Sequence, residues 1–175
     1  MKMMNLLKWK LKVLISKGAD LIKNYDYDEL LDLLKTYMDE EYIDFVDKYY
    51  NQAKIIYEGM KRETGEEYIM HPINVAYILA ELKMDPVTIG CALIHEVITL
   101  DKMTYEEVEE MFGTASADIV NSISKISNLK QTFKVNNPEK YRRIIVGLSE
   151  NPATLFIKFA DRLHNLRTLK VHDAE

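Results

Sequence analysis

Cysteine is nearly absent. Cys91 is the sole thiol in 175 residues, so the chain has no internal disulfide and no thiolate-rich metal cluster, and a reducing, cytoplasmic compartment fits. Glycine and proline are scarce, at 6 and 4, and no Ser-rich or Pro-rich linker divides the chain. No Asn-Gly or Asp-Gly pair marks a hairpin. No apolar run reaches the length of a membrane span. Positive charge is not in excess either. The net charge of −5 argues against nucleic-acid binding by bulk electrostatics. The sequence has no P-loop, no Gly-rich dinucleotide fingerprint and no Gly-x-Ser-x-Gly elbow. Its first ten residues, Met1 to Lys10, are apolar but broken by lysine, with no small-residue cleavage site after them. That suits a packing or interface helix better than a signal peptide or a membrane-surface helix.

What remains is a chain of one domain's length, 47% hydrophobic and 29% charged, with helical periodicity almost throughout. Residues 3–16 put Met4, Leu7, Leu11, Leu14 and Ile15 on one face, and Gly18 ends that helix. Asp26 or Asp28 caps the next, with Leu30, Leu31, Leu33 and Leu34 as its apolar stripe. A long helix is expected over 39–62, broken at Thr64-Gly65. His71 precedes Pro72, which pushes it toward a turn, and Pro72 opens a helix to about residue 83. Asp85-Pro86 is a cap with a first-turn proline and starts a helix carrying His95 and Glu96. Thr104-Tyr-Glu-Glu107 is a capping box for a helix ending near Gly113. Another helix covers about 115–127. A polar loop follows over 128–137, and Pro138 opens a helix to about 149. Asn151-Pro152 repeats the cap-plus-proline device. The fold class is all-α, an irregular multi-helix bundle.

Within these apolar frames a few polar residues need a reason to be there. Cys91-Ala-Leu-Ile-His-Glu-Val-Ile98 carries an imidazole and a carboxylate side by side, and burying either costs unless something satisfies it. His71, His95, Glu96 and Asp161 are the candidate metal ligands. Mixed imidazole and carboxylate donors suit manganese, iron, zinc or magnesium. Singly, each has an ordinary alternative. His71 suits a turn, Glu96 a solvated helix end, and Asp161 a helix cap or a pair with Arg162. Spacing alone does not bring the four together.

Five segments together carry a resemblance. They are Tyr68-Ile-Met-His-Pro72, Leu93-Ile-His-Glu-Val97, Thr104-Tyr-Glu-Glu-Val108, Phe112-Gly113, and the twelve residues from Ile157 to Thr168. In this order they resemble the hydrolase domain of the RelA/SpoT family, part of the HD superfamily of metal-dependent phosphohydrolases. The resemblance covers about residues 45–170. It implies a helical HD bundle that removes the 3′-pyrophosphate from guanosine tetra- and pentaphosphate alarmones with a divalent metal, most often Mn2+. Residue by residue, His71 matches the first ligand, His95 the histidine of the His-Asp pair, and Asp161 the distal aspartate. Arg62 matches an arginine that stacks on the purine, and Lys158, Asn165 and Thr168 match positions lining the nucleotide pocket.

The chain also departs from that pattern. Glu96 stands where the family has aspartate, an oxygen ligand one methylene longer. Thr99 and Leu100 stand where the family carries a Glu-Asp pair that handles the attacking water. Leucine can neither accept a proton nor orient water. Asp101 follows one position later, on another side of a helix, and with Glu96 is the carboxylate available for catalytic work. Glu63 replaces a second basic residue. A catalytically degenerate domain that binds nucleotide or a partner is therefore the alternative to an active phosphohydrolase. His164 and His172 are expected to face solvent or neighbouring helices, and Lys140, Arg142 and Arg143 a solvated helix face. Residues 1–40 read as a helical extension packed on an HD-type domain at 41–175. Relatives continue with further helices and a synthetase domain, so the chain is expected to be shortened or a fragment. A guanine alarmone is the expected partner, with no nucleic acid, and a homo-oligomer or an attached synthetase domain remains open.

Overall fold

The computed structural model describes residues 24–131 and 151–169, and side chains over 24–127 and 151–168. The expectations for residues 3–16, 132–149 and His172 lie outside these, as do those for the side chains of Asn128 to Gln131. Among the described residues there are seven helices and no strand. In chain order they are α1 (Tyr27–Leu34), α2 (Glu40–Ile56), α3 (Met70–Glu81), α4 (Pro86–Leu93), α5 (Tyr105–Phe112), α6 (Thr114–Gln131) and α7 (Pro152–Leu169). The all-α expectation holds. Among the described residues no helix is long and apolar enough to cross a membrane.

The caps read from sequence form. Asp26 makes a capping box with Glu29, and Thr104 makes one with Glu107. Asp85 accepts from the Thr88 amide at 3.0 Å and the Thr88 hydroxyl at 2.6 Å. Asn151 accepts from the Ala153 amide at 3.0 Å. Four boundaries differ from the expectation, the first being α6, which runs on to Gln131 where a polar loop was expected from residue 128. The helix expected over 39–62 stops at Ile56, because Gly59 takes a left-handed φ of 72° and turns the chain. Pro72 does not open its helix. The helix starts two residues earlier, so His71 lies in its first turn. Proline is tolerated there because first-turn amides have no intrahelical acceptor to lose. The helix expected to carry His95 and Glu96 ends at Leu93, and Ile94 leaves helical geometry at φ −117°, ψ 15°. Those two side chains project from a run of turns, pinned by Val97 N–H to Ile94 C=O at 3.1 Å and Leu100 N–H to Glu96 C=O at 2.8 Å.

Helix α4 sits at the centre, packed on α2, α3, α6 and α7. Thr88 to Leu93 are all buried, as a helix apolar on every side requires. Gly90 permits the closest approach. A Cβ there would meet the Tyr49 ring of α2 at 2.8 Å. That ring cannot give way, since it stacks on Phe112 and bonds the Ser116 hydroxyl at 2.7 Å. Gly90→Ala is therefore expected to destabilise the fold by about 1–3 kcal/mol, despite alanine's better helix propensity, as read from urea unfolding.

Helix α1 is joined to the core by tyrosines. Tyr25 stacks on Tyr77 of α3 with ring centroids 3.6 Å apart, and Tyr27 stacks on Tyr50 of α2 at 3.4 Å. The Tyr27 hydroxyl bonds Asp47. Asn74 of α3 accepts the Tyr25 amide at 2.9 Å and donates to its carbonyl at 3.1 Å. Leu30 and Leu34 are fully buried beneath. Burying each contributes roughly 1.5–3 kcal/mol. Helix α3, which bears His71, is thus held by α1 on one side and by α4 and α7 on others.

Candidate metal centre

Three chain segments converge on one buried point. The first turn of α3 supplies His71, the turn after α4 supplies His95, and the middle of α7 supplies Asp161. One ligand atom from each lies within 4.8 Å of the other two, and all three residues are buried. His71 Nε2 is 3.5 Å from Asp161 Oδ1. Glu96 stands beside this triad rather than within it. Its Oε2 is 3.8 Å from His71 Nε2, and the Tyr68 hydroxyl donates to that same oxygen at 2.6 Å.

The donor set suits a divalent cation. His95 Nδ1 lies 2.8 Å from the Ala92 carbonyl, which can only accept, so Nδ1 carries the proton. Nε2 is then a bare lone pair, and it is buried without a hydrogen-bond partner among the described residues. An unpartnered buried acceptor is costly unless something fills its place, and a cation does. Orienting a ligand histidine through its other nitrogen is how protein metal sites set the tautomer. Burial pushes the His95 pKa below the ordinary imidazole value, which keeps the ring neutral.

The carboxylates stay charged. Burial alone would raise Asp161, but the Lys158 ammonium bonded to it outweighs that and holds its carboxyl below the usual range. Lys158 Nζ sits 2.7 Å from Asp161 Oδ2, and Asn165 Nδ2 donates to Oδ1 at 2.7 Å. Burial likewise opposes Glu96, yet the hydrogen bond from the Tyr68 hydroxyl helps hold its pKa below the ordinary value.

The sequence-derived nucleotide residues gather on the same side. Arg62 lies between α2 and α3, where an antiparallel bridge joins Lys61 to Glu67 and Gly65 turns the chain at φ 86°. Its Nη2 donates to Asn165 Oδ1 at 2.8 Å, and its Nη1 pairs with Glu66 at 3.5 Å. Lys158 also reaches the Ser127 hydroxyl at 3.2 Å. Thr168 turns its hydroxyl back to its own helix, to the carbonyls of His164 at 3.2 Å and Asn165 at 3.1 Å. Asp101 is not brought to this point. It is exposed, at a left-handed turn with φ 53°. Thr99 buries its hydroxyl without a partner among the described residues, and Leu100 packs on the core.

Of the two settings expected for His164, solvent or a neighbouring helix, the structure shows the second: it is only 4% exposed, and its Nδ1 lies 2.9 Å from His71 Nδ1. Burial, with the neighbouring Arg62 and Arg167 guanidiniums, pushes its pKa down to about 3. The signal was available. A residue three after Asp161 falls on the same helix face. Tyr68, three residues before His71, is a second contributor that spacing did not single out.

A helical bundle with two histidines and an aspartate closing on one buried point is the architecture of an HD domain. The family model described as HD domain matches residues 50–175, and the chain belongs to that family. The RelA/SpoT resemblance is borne out by individual relatives. A guanosine-3′,5′-bis(diphosphate) 3′-pyrophosphohydrolase of Aquifex aeolicus is 43% identical over 126 residues, covering 72% of this chain and 18% of the relative. The bifunctional (p)ppGpp synthase/hydrolase SpoT of Escherichia coli is 41% identical over 121 residues, 69% of this chain and 17% of the relative. A GTP pyrophosphokinase of Myxococcus xanthus is 35% identical over 124 residues, 69% of this chain and 16% of the relative. The chain therefore spans less than a fifth of the length of these relatives.

Proposed function

We propose that this chain is a divalent-metal phosphohydrolase acting on the 3′-pyrophosphate of a guanosine alarmone. The convergence of His71, His95 and Asp161, with a bare His95 Nε2 among them, carries the reading. His71 and His95 would each give a nitrogen and Asp161 an oxygen, with Glu96 as a fourth ligand or a neighbouring base. Manganese is the proposed metal. A bound ion of this kind supplies Lewis acidity, polarising a phosphoryl oxygen and lowering the pKa of water.

The chain's own residues supply the rest. Lys158, already paired with Asp161, offers its ammonium to a phosphate. Arg62, steadied by Asn165 and Glu66, presents a guanidinium plane on which a purine stacks. Asn165 offers hydrogen bonds to the nucleotide, and Thr168 can rotate its hydroxyl from helix carbonyls toward a ribose. Asp101 would need its exposed turn to reorganise before it could handle water. In this reading residues 1–40 extend the domain at 41–175, and the protein works in the cytoplasm. Self-association or a synthetase domain beyond this sequence would supply its other partners.

With purified protein and Mn2+, release of pyrophosphate from guanosine tetraphosphate is expected. Bound Mn2+ with no pyrophosphate released at any metal loading would refute the hydrolase reading. That result would favour the second reading, a regulatory domain binding nucleotide without turnover, which Thr99 and Leu100 in place of an acidic pair support. Calorimetry showing neither metal nor guanine-nucleotide binding would refute both.

A further inference from the structure

The buried contact between His71 and His164 has a consequence for which nitrogen of His71 is free. Their Nδ1 atoms are 2.9 Å apart, a hydrogen-bond distance, so one proton lies between them. His71 Nε2 faces Asp161 at 3.5 Å and Glu96 at 3.8 Å, on the side where the ligand atoms gather. A histidine can hold a metal through Nε2 only if its proton sits on Nδ1. In the described structure the group within hydrogen-bond distance of that proton is His164 Nδ1. His164 Nε2 is buried and has no hydrogen-bond partner among the described residues, so nothing there competes for the ring's orientation. The rings pack at 4.9 Å between centroids, tilted by 49°, and both residues are buried, which leaves little room for either to turn.

We propose that His164 is the positioning residue for His71. By accepting the Nδ1 proton, it makes His71 present a bare Nε2 to the metal centre. It plays toward His71 the part that the Ala92 carbonyl plays toward His95. The difference matters. A backbone carbonyl is present whatever the side chain, whereas His164 can be lost by substitution. The inference rests on the metal-centre reading, and it concerns affinity for the ion rather than turnover.

Two substitutions separate this role from mere packing. Asparagine carries a polar atom where histidine has Nδ1, and glutamine carries one where histidine has Nε2. His164→Asn keeps the partner for His71, and His164→Gln removes it while staying polar and of similar bulk. Mn2+ affinity is measured by titration calorimetry on the full chain, with thermal unfolding recorded for each variant. His164→Gln is expected to bind Mn2+ about 10–100-fold more weakly than the wild type, the usual cost of a lost outer-shell partner. His164→Asn is expected to stay within about threefold, by the same reasoning. Equal affinity for both variants and the wild type would overturn the proposal, and so would equal losses in both at matched thermal stability. If His164→Gln fails to fold, His164→Asn decides alone: wild-type-like affinity supports the role, and a loss as large as that expected for glutamine overturns it. A wild type that binds no Mn2+ removes the metal-centre reading itself, and this inference with it. A wild type that binds Mn2+ without hydrolysing nucleotide leaves the inference standing while the hydrolase reading falls.

Discussion

His95→Leu is expected to abolish metal binding while leaving the metal-free fold nearly as stable as the wild type. The imidazole is completely buried, and its Nε2 has no hydrogen-bond partner among the described residues. Leucine fills a similar volume without that unsatisfied atom. The loss is the hydrogen bond to the Ala92 carbonyl, worth about 0.5–1.5 kcal/mol. The gain is relief from burying an unpartnered polar atom, of similar size. The two should cancel to within about 1 kcal/mol. Metal affinity has no such offset. A direct ligand is gone, so the fall should exceed the ~10–100-fold typical of an outer-shell partner. Titration calorimetry and urea unfolding on the same preparations measure both quantities. Affinity for Mn2+ within threefold of the wild type would mean that the three residues are a buried polar cluster and not a metal centre.

Installing Thr99→Glu together with Leu100→Asp is expected to raise hydrolysis of guanosine tetraphosphate by about 10²–10⁴-fold, the range that a positioned proton acceptor contributes. The segment is suited to it. Thr99 and Leu100 follow His95 and Glu96 in one run of turns, and the Leu100 amide bonds the Glu96 carbonyl at 2.8 Å. The Thr99 hydroxyl is buried and unpartnered among the described residues, so an apolar lining is not already complete there. Leu100 is only partly buried, and its loss should leave the core intact. Single-turnover pyrophosphate release with saturating Mn2+ reads the effect. An unchanged rate in a variant that still binds Mn2+ would show that the absent acidic pair is not what limits this chain. It would turn attention to the nucleotide side, to Arg62 and Glu63.

Much of the architecture was legible because it is written in local chemistry. Asp26, Asp85, Thr104 and Asn151 each cap the helix that their neighbours announce. The buried Val75, Ile78, Leu79 and Leu82 follow helical spacing. Boundaries were less legible where two local rules disagree. Pro72 disfavours helix at His71, yet packing of the whole α3 face prevails and His71 becomes helical. The end of α4 at Leu93 has no glycine or proline to announce it. It arises because His95 and Glu96 are drawn to different partners, the Ala92 carbonyl and the Tyr68 hydroxyl. The metal centre was legible residue by residue but not as a place. Convergence depends on how α3, α4 and α7 cross, and no spacing along the chain contains that. The sequence left His164 between solvent and a neighbouring helix, and its contact with His71 was not foreseen because burial by a second helix is a tertiary fact.

The tyrosine clasp on α1 bears on where this domain physically begins. The family match starts at residue 50, inside α2, but the structure does not come apart there. Cutting at that point would remove Tyr25 from Asn74, Tyr27 from Tyr50, and the Leu30 and Leu34 floor from beneath α3. It would also take away Tyr49, the ring against which Gly90 rests. A minimal expressible piece should therefore open upstream of Tyr25. Homology marks the portion shared with relatives, whereas the unit that folds includes the segment bracing the helix of His71.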